Sequence, residues 1–107
     1  MDKLYIYFEN LAAELSEIPP DSIVSRTLYE DDQHKAILFG FAAGQELSEH
    51  TASQTALLYF IQGQAKLTLG EDESKAGPGT WVRMAARLPH SVEAETKLIM
   101  LLVLFKQ

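Results

Sequence analysis

The sequence predicts an all-β domain, a barrel or a sandwich, on three observations. After Pro19-Pro20 the chain is a series of short apolar segments separated by turn residues, which is typical of antiparallel sheets. Several of these segments alternate apolar and polar residues with the two-residue period of a strand. The chain has 107 residues, 47% hydrophobic and 22% charged, enough for one packed domain. We therefore expect a single domain over residues 1–107, with the barrel from about residue 23 onward.

The N-terminal region is predicted to differ from the rest. Residues 4–8 alternate aromatic and aliphatic side chains, which predicts a strand. Asn10 can cap a short helix that carries Leu11 and Leu15 on one face. Pro19-Pro20 is expected to end that helix.

The remaining elements are short strands joined by turns. Strands are predicted over residues 23–29, 35–42, 56–62, 66–69, 80–84 and 98–105. Turns are predicted at 30–33, at Gly44, at 63–64, at 70–74 as an exposed acidic turn, and at 77–79. The apolar segment 98–105 is a buried strand in this interpretation, because a bilayer span needs about 20 apolar residues.

Charge and cysteine content exclude several classes of partner and site. The net charge is −6, from 15 acidic and 9 basic residues, and no basic patch is present. Nucleic acid and membranes are therefore not expected as partners. The chain has no cysteine, which excludes disulfides and thiolate metal sites and is compatible with the cytoplasmic location that we expect. A partly open barrel of this size gains stability by pairing with a copy of itself, so we expect a homodimer.

Two histidines stand in glycine-marked frames. Gly44 is followed after five residues by His50 and later by Gly63, and Gly79 is followed after ten residues by His90. These two frames, in this order, resemble the two motifs of the cupin family. The resemblance implies a double-stranded β-helix, a jelly-roll-like barrel, which the short helix predicted after Asn10 would precede.

The resemblance also indicates what this chain lacks. Typical members use three histidines and one glutamate to hold a divalent metal for catalysis. Here Ala52 and Ala56 stand where the second histidine and the glutamate of the first motif would be. The second motif's proline, glycine and asparagine are replaced as well, at Ala85, Arg87 and Ala94.

The candidate metal ligands are therefore His50, His90 and, as the nearest substitute, Gln54. Gln54 shares strand parity with His50 if the strand between them is regular. We expect a divalent metal (Fe, Mn, Zn or Ni) to be weakly held or absent, and hydrogen-bonded imidazoles without metal are the alternative. His34, the third histidine, follows an acidic turn and is expected to be exposed.

A barrel pocket is expected beside these ligands. Its predicted lining consists of large apolar residues and the two alanines: Phe39, Phe41, Ala52, Ala56, Phe60, Trp81 and Met84. Strand alternation means that Tyr59 and Phe60 cannot both point inward.

Three functions are compatible with the sequence. The first is a module that binds a small, mainly apolar molecule with one or two polar groups, and the second is a metal-dependent enzyme of dioxygenase or isomerase type with a non-standard third ligand. The third is a metal-free enzyme that uses an imidazole as general acid or base. Whether the protein is an enzyme is left open by the residues alone.

Overall fold

The protein is built from two antiparallel sheets. The computed structural model describes residues 4–15 and 17–106. The strands are β1 (Ile23–Glu30), β2 (His34–Phe41), β3 (Glu46–His50), β4 (Thr55–Gln62), β5 (Ala65–Leu69), β6 (Asp72–Ala76), β7 (Trp81–Met84), β8 (His90–Ala94) and β9 (Leu98–Phe105). A large sheet has the order β1-β2-β9-β4-β7, and a small sheet has the order β3-β8-β5-β6. The all-β prediction is confirmed.

The core lies between the two sheets. Alternate residues of β4, Ala56, Leu58 and Phe60, are at most 2% exposed and point inward, whereas Tyr59 between them is 41% exposed. The inward side chains of both sheets form one cluster that includes Phe41, Leu67, Met84, Val92, Leu98 and Met100. Tyr59 and Phe60 therefore lie on opposite faces of the sheet, as alternation requires.

Strand β9 is apolar along its whole length because it lies in the middle of the large sheet. It pairs with β2 on one side and β4 on the other, over all eight of its residues with β2. Leu98 and Met100 belong to the core cluster, so Leu101 and Val103 point to the outer face. The predicted bounds 98–105 match the structure.

The N-terminal region departs from the prediction. Residues 4–8 form no strand. Leu4, Tyr5, Ile6 and Phe8 line a cavity against the outer face of the large sheet. The helix is a single 3₁₀ turn, Leu11–Glu14, and Asn10 caps it by accepting a hydrogen bond from the Ala12 N–H at 3.1 Å.

The segment after this turn packs on the large sheet. A side chain placed at Gly40 would lie 2.6 Å from the Ile18 side chain and 2.9 Å from that of Leu15. Leu38 beside it is fully buried on the same outer face. In the part of the chain that the structure describes, no helix is long and apolar enough to span a membrane.

The small sheet holds elements that the sequence patterns missed. The predicted acidic turn 70–74 is too long: the turn is at residues 70–71, and β6 begins at Asp72, which pairs with Leu69 of β5. A charged strand is stable there because β6 is an edge strand with side chains in solvent. Two further strands were not predicted from the sequence. These are β3, which ends at His50, and β8, which begins at His90.

Candidate functional site

The structure brings His50 and His90 together. His50 is the last residue of β3 and His90 the first residue of β8, and the two are direct partners across this strand pair. Their ring centroids lie 4.1 Å apart with the planes inclined by 58°. The two glycine frames of the sequence thus meet at one end of the small sheet.

Both imidazoles are oriented by the same backbone contact. The Nδ1 atom of His50 lies 2.8 Å from the Ser48 carbonyl oxygen, and that of His90 lies 2.8 Å from the Leu88 carbonyl oxygen. A carbonyl oxygen only accepts, so each Nδ1 carries the hydrogen and donates. In the neutral form of each ring, the Nε2 atom then carries a lone pair, and no residue in 4–15 or 17–106 bonds to either Nε2 atom.

The two histidines differ in exposure. His50 is exposed, whereas His90 is only 7% exposed. Burial lowers the pKa of His90 below its ordinary value, and the neighbouring His50 lowers this pKa further, against an opposing effect of the Leu88 carbonyl. His90 is therefore neutral near pH 7 and can accept a hydrogen bond at Nε2.

The residues around the pair do not fit a resident metal centre. Ala56 is 1% exposed in the core and pairs with Met84 and Leu104, so this motif position supplies no ligand atom of its own. Across the described ranges 4–15 and 17–106, no three residues of the His, Cys, Asp and Glu types are grouped to hold a metal ion. The two imidazoles are half of the usual ligand set.

Gln54 does not share a strand with His50. The predicted parity requires one regular strand through both residues, but β3 ends at His50 and β4 begins at Thr55. Gln54 lies in a bend between the two strands and is partly buried. The pairing of β3 with β8 also shifts register before His50. Strand parity therefore gives no direction for the Gln54 side chain.

The predicted pocket residues occupy three different environments. Phe41, Ala56, Phe60 and Met84 are fully buried in the core cluster, and Phe39 packs against that cluster. Ala52 is partly buried in the loop after β3. Ala56 itself belongs to the core cluster at 1% exposure.

Trp81 lies outside the barrel, contrary to its predicted place in the pocket. It is 60% exposed and pairs with Tyr59 across β7 and β4. Val82 and Met84 point into the core, so alternation directs Trp81 to the outer face of the large sheet. Strand β7 has only four residues, so its alternation of side chains is too short to indicate from the sequence which face of the strand is buried.

The functional groups that sequence reasoning missed belong to the backbone. The Ser48 and Leu88 carbonyl groups fix the tautomer of each histidine, yet neither residue type signals this role. Leu47 and Leu88, beside the histidines, pack against the core cluster. No periodic pattern in the sequence marks them as site residues.

The family follows from a direct comparison. The family model described as a cupin domain matches residues 37–105 of the chain, nearly two thirds of its length. The chain belongs to the cupin family. Both motif histidines of this cupin fall within the matched residues. No match was found among curated proteins.

Solved structures agree with this assignment. The cupin is similar to a cupin superfamily protein from Desulfitobacterium hafniense, with 23% identity, 95% of each chain covered and a TM-score of 0.86. It is also similar to a conserved protein of unknown function from Streptococcus pyogenes, with 26% identity, 100% and 91% of the two chains covered and a TM-score of 0.83. A Cupin 2 conserved barrel domain protein from Leptotrichia buccalis is 32% identical over 88% of this cupin and 46% of that longer chain, with a TM-score of 0.79.

Proposed function

We propose that this cupin is a binding module that holds a small molecule at the His50–His90 pair. The observation that carries the proposal is the presence of two adjacent imidazoles whose Nδ1 atoms are bonded to backbone carbonyls. Their Nε2 lone pairs are two hydrogen-bond acceptors without a protein partner in the described residues. A ligand that bears N–H or O–H donors complements this pair.

The surroundings of the pair favour a ligand with an apolar part. Leu47 and Leu88 pack on the core beside the histidines, and the inward face of β4 behind them is apolar. A primary amide, an amine or a diol attached to a short hydrocarbon body satisfies both features. An isolated carboxylate fits poorly, because two lone pairs would face its oxygens.

A metal-dependent enzyme of dioxygenase or isomerase type is the second candidate. One observation favours it, since metal-binding histidines commonly donate their other ring N–H to a backbone carbonyl, as His50 and His90 do. This candidate requires a third donor, and Gln54 is the side chain that a rearranged loop could supply. In the metal-free binding module, Gln54 has no such role.

Ligand binding is tested with isotope-labelled protein and a small set of soluble probes. Acetamide, propylamine, propane-1,2-diol and acetate are titrated while the imidazole resonances are followed by NMR. We expect the donor-bearing probes, and not acetate, to shift the Nε2 signals of both histidines. His50→Ala or His90→Ala should each weaken binding by about fivefold, because each removes one hydrogen bond worth about 1 kcal/mol.

His34→Ala is the matched control, since His34 is the remaining histidine and contacts Tyr29 and Asp31 instead. It should leave the titration unchanged.

Elemental analysis of protein purified without chelator distinguishes the binding module from the metal-dependent enzyme. Stoichiometric metal that disappears in His50→Ala and in Gln54→Ala would overturn the binding module in favour of the enzyme.

A further inference from the structure

A strained backbone position lies shortly before the strand that begins at His90. Arg87 has a φ of +69°, in the left-handed region that most side chains avoid. The other described residues with a positive φ are four glycines, which have no Cβ atom, and Asp21, a residue type that tolerates this region. Arginine has neither advantage, and a glycine at position 87 would remove the strain. Strained residues are concentrated at functional sites, so the Arg87 side chain is a candidate for a role in the site beside it.

The backbone of Arg87 is fixed next to the histidine pair. Its N–H group donates to the Ala52 carbonyl oxygen at 2.7 Å, which connects the loop after His50 to the turn before His90. The next residue is Leu88, whose carbonyl oxygen orients the His90 ring. Three residues of extended chain span about 10 Å, so the Cα atoms of Arg87 and His90 are at most that far apart. The Arg87 side chain therefore starts at the edge of the candidate site.

The Arg87 side chain has no partner in the part of the chain that the structure describes. It is exposed and forms no ion pair or hydrogen bond with residues 4–15 or 17–106. By contrast, Arg26 and Lys106 are each paired with a glutamate, at 2.6 Å and 2.7 Å. The chain has 15 acidic residues, yet none of those described neutralises Arg87. Its guanidinium is available to an anion from solution, and it offers a carboxylate two parallel N–H donors.

The histidine pair and Arg87 present opposite chemistry to a ligand. The Nε2 atoms of the neutral rings accept hydrogen bonds, whereas the guanidinium only donates them and carries a positive charge. A hydroxyl group can donate to an Nε2 atom, and a carboxylate, which fits poorly there, fits at Arg87. We propose that the ligand of this cupin is a small hydroxy acid, whose hydroxyl group binds the histidine pair and whose carboxylate binds Arg87. This proposal rests on the binding function proposed above and specifies the class of ligand.

Matched pairs of probes isolate the contribution of the carboxylate. Hydroxyacetate, 3-hydroxypropanoate and 4-hydroxybutanoate are each compared with the diol of the same carbon number, in which a CH₂OH group replaces the carboxylate. The dissociation constants are measured by NMR from the imidazole resonances, and the increasing chain length samples the separation of the two groups. In the wild-type protein, we expect the best-fitting hydroxy acid to bind about tenfold more tightly than its diol, because hydrogen bonds to charged groups are the stronger ones.

Substitutions assign this preference to one side chain. Arg87→Gln should bring the dissociation constants of the hydroxy acid and its diol to within about twofold of each other, since the charge-assisted bonds are lost. Arg87→Gly should have the same effect on the preference while raising the thermal midpoint, because glycine removes the backbone strain. Arg83→Gln is the matched control, since it removes the same charge but Arg83 alternates with the core residues Val82 and Met84 and points to the outer face. It should retain the tenfold preference.

The outcomes distinguish this proposal from the binding function on which it rests. If the diols shift the imidazole resonances but no hydroxy acid binds more tightly than its diol, the binding function stands and the role of Arg87 is wrong. If Arg83→Gln reduces the preference as much as Arg87→Gln does, net charge is responsible and the role of Arg87 is again wrong. If no probe shifts the imidazole resonances, the binding function itself fails, and the assignment of a hydroxy acid fails with it.

Discussion

At the scale of single residues, Gly63 illustrates how a motif position is determined by backbone geometry. Its φ is +92°, and a Cβ atom there would collide with the carbonyl oxygen of Lys97 and lie 3.0 Å from the Leu98 Cα. Gly44 has a similar φ of +86° but no atom within 4 Å of the same position. The two motif glycines are therefore required for different reasons.

Alanine substitution separates these reasons. Gly63→Ala should lower the free energy of unfolding by about 3 kcal/mol, since it adds backbone strain and a clash with the backbone of Lys97 and Leu98 at the start of β9. Gly44→Ala should cost about 1 kcal/mol, since strain alone applies. Chemical denaturation of both variants checks the difference, and equal losses would contradict the role assigned to the Lys97 contact.

The histidine pair shows what residue spacing can and cannot predict. The glycine-to-histidine distances placed His50 and His90 in one site, and the structure brings their rings to 4.1 Å. The third ligand was not predictable, because β3 ends at His50 and strand parity stops there. The backbone carbonyls that orient the rings carry no side-chain signal at all.

At the scale of an element, the turn between β1 and β2 is held by one carboxylate. Asp31 accepts hydrogen bonds from the backbone N–H groups of Gln33 and His34 and from the Tyr29 hydroxyl, at 2.7 to 2.9 Å. These bonds lower the pKa of Asp31 from 3.8 to about 2. The hydrogen bond from Tyr29 has the largest effect, and the two backbone hydrogen bonds follow.

His34 belongs to the same turn and was expected to be exposed. Its ring centroid lies 5.3 Å from that of Tyr29, and the residue is partly buried.

This turn should make the protein acid-sensitive within a defined pH window. The ionised form of Asp31 is favoured in the folded state, so its contribution to stability is complete above pH 3.8 and is lost as the pH falls towards about 2. Asp31→Asn should lower the thermal midpoint at neutral pH and reduce its decline between these pH values. Asp32→Asn, in the same turn, is the control and should retain the wild-type decline; an unchanged decline in Asp31→Asn would assign the acid sensitivity to other groups.

Element prediction succeeded where burial imposed a pattern on the sequence. The predicted bounds of β9 match the structure, and those of β2 and β4 lie within one residue. β6 was missed because an exposed edge strand needs no apolar side. Residues 4–8 alternate aromatic and aliphatic side chains without forming a strand, and four of the five side chains are exposed, so this alternation does not reflect burial.

At the scale of the whole molecule, the net charge of −6 opposes the pairing of two copies of the chain. Because salt screens this repulsion, it should strengthen the homodimer that we expect from the sequence. Raising the salt concentration from about 0.05 M to about 0.5 M should lower the dissociation constant several-fold, measured by light scattering on dilution. A dissociation constant that rises with salt would indicate an interface held by charge pairs.

Strand β4 serves both sides of the large sheet at once. Ala56, Leu58 and Phe60 belong to the interior, while Leu57 and Tyr59 belong to the exterior. Substitutions at even and odd positions of this strand can therefore accumulate separately during evolution. Those at even positions change the packing of the core, and those at odd positions change the outer surface of the large sheet. Insertion of a single residue would exchange the two sets, so the length of β4 is expected to vary far less among relatives than its composition.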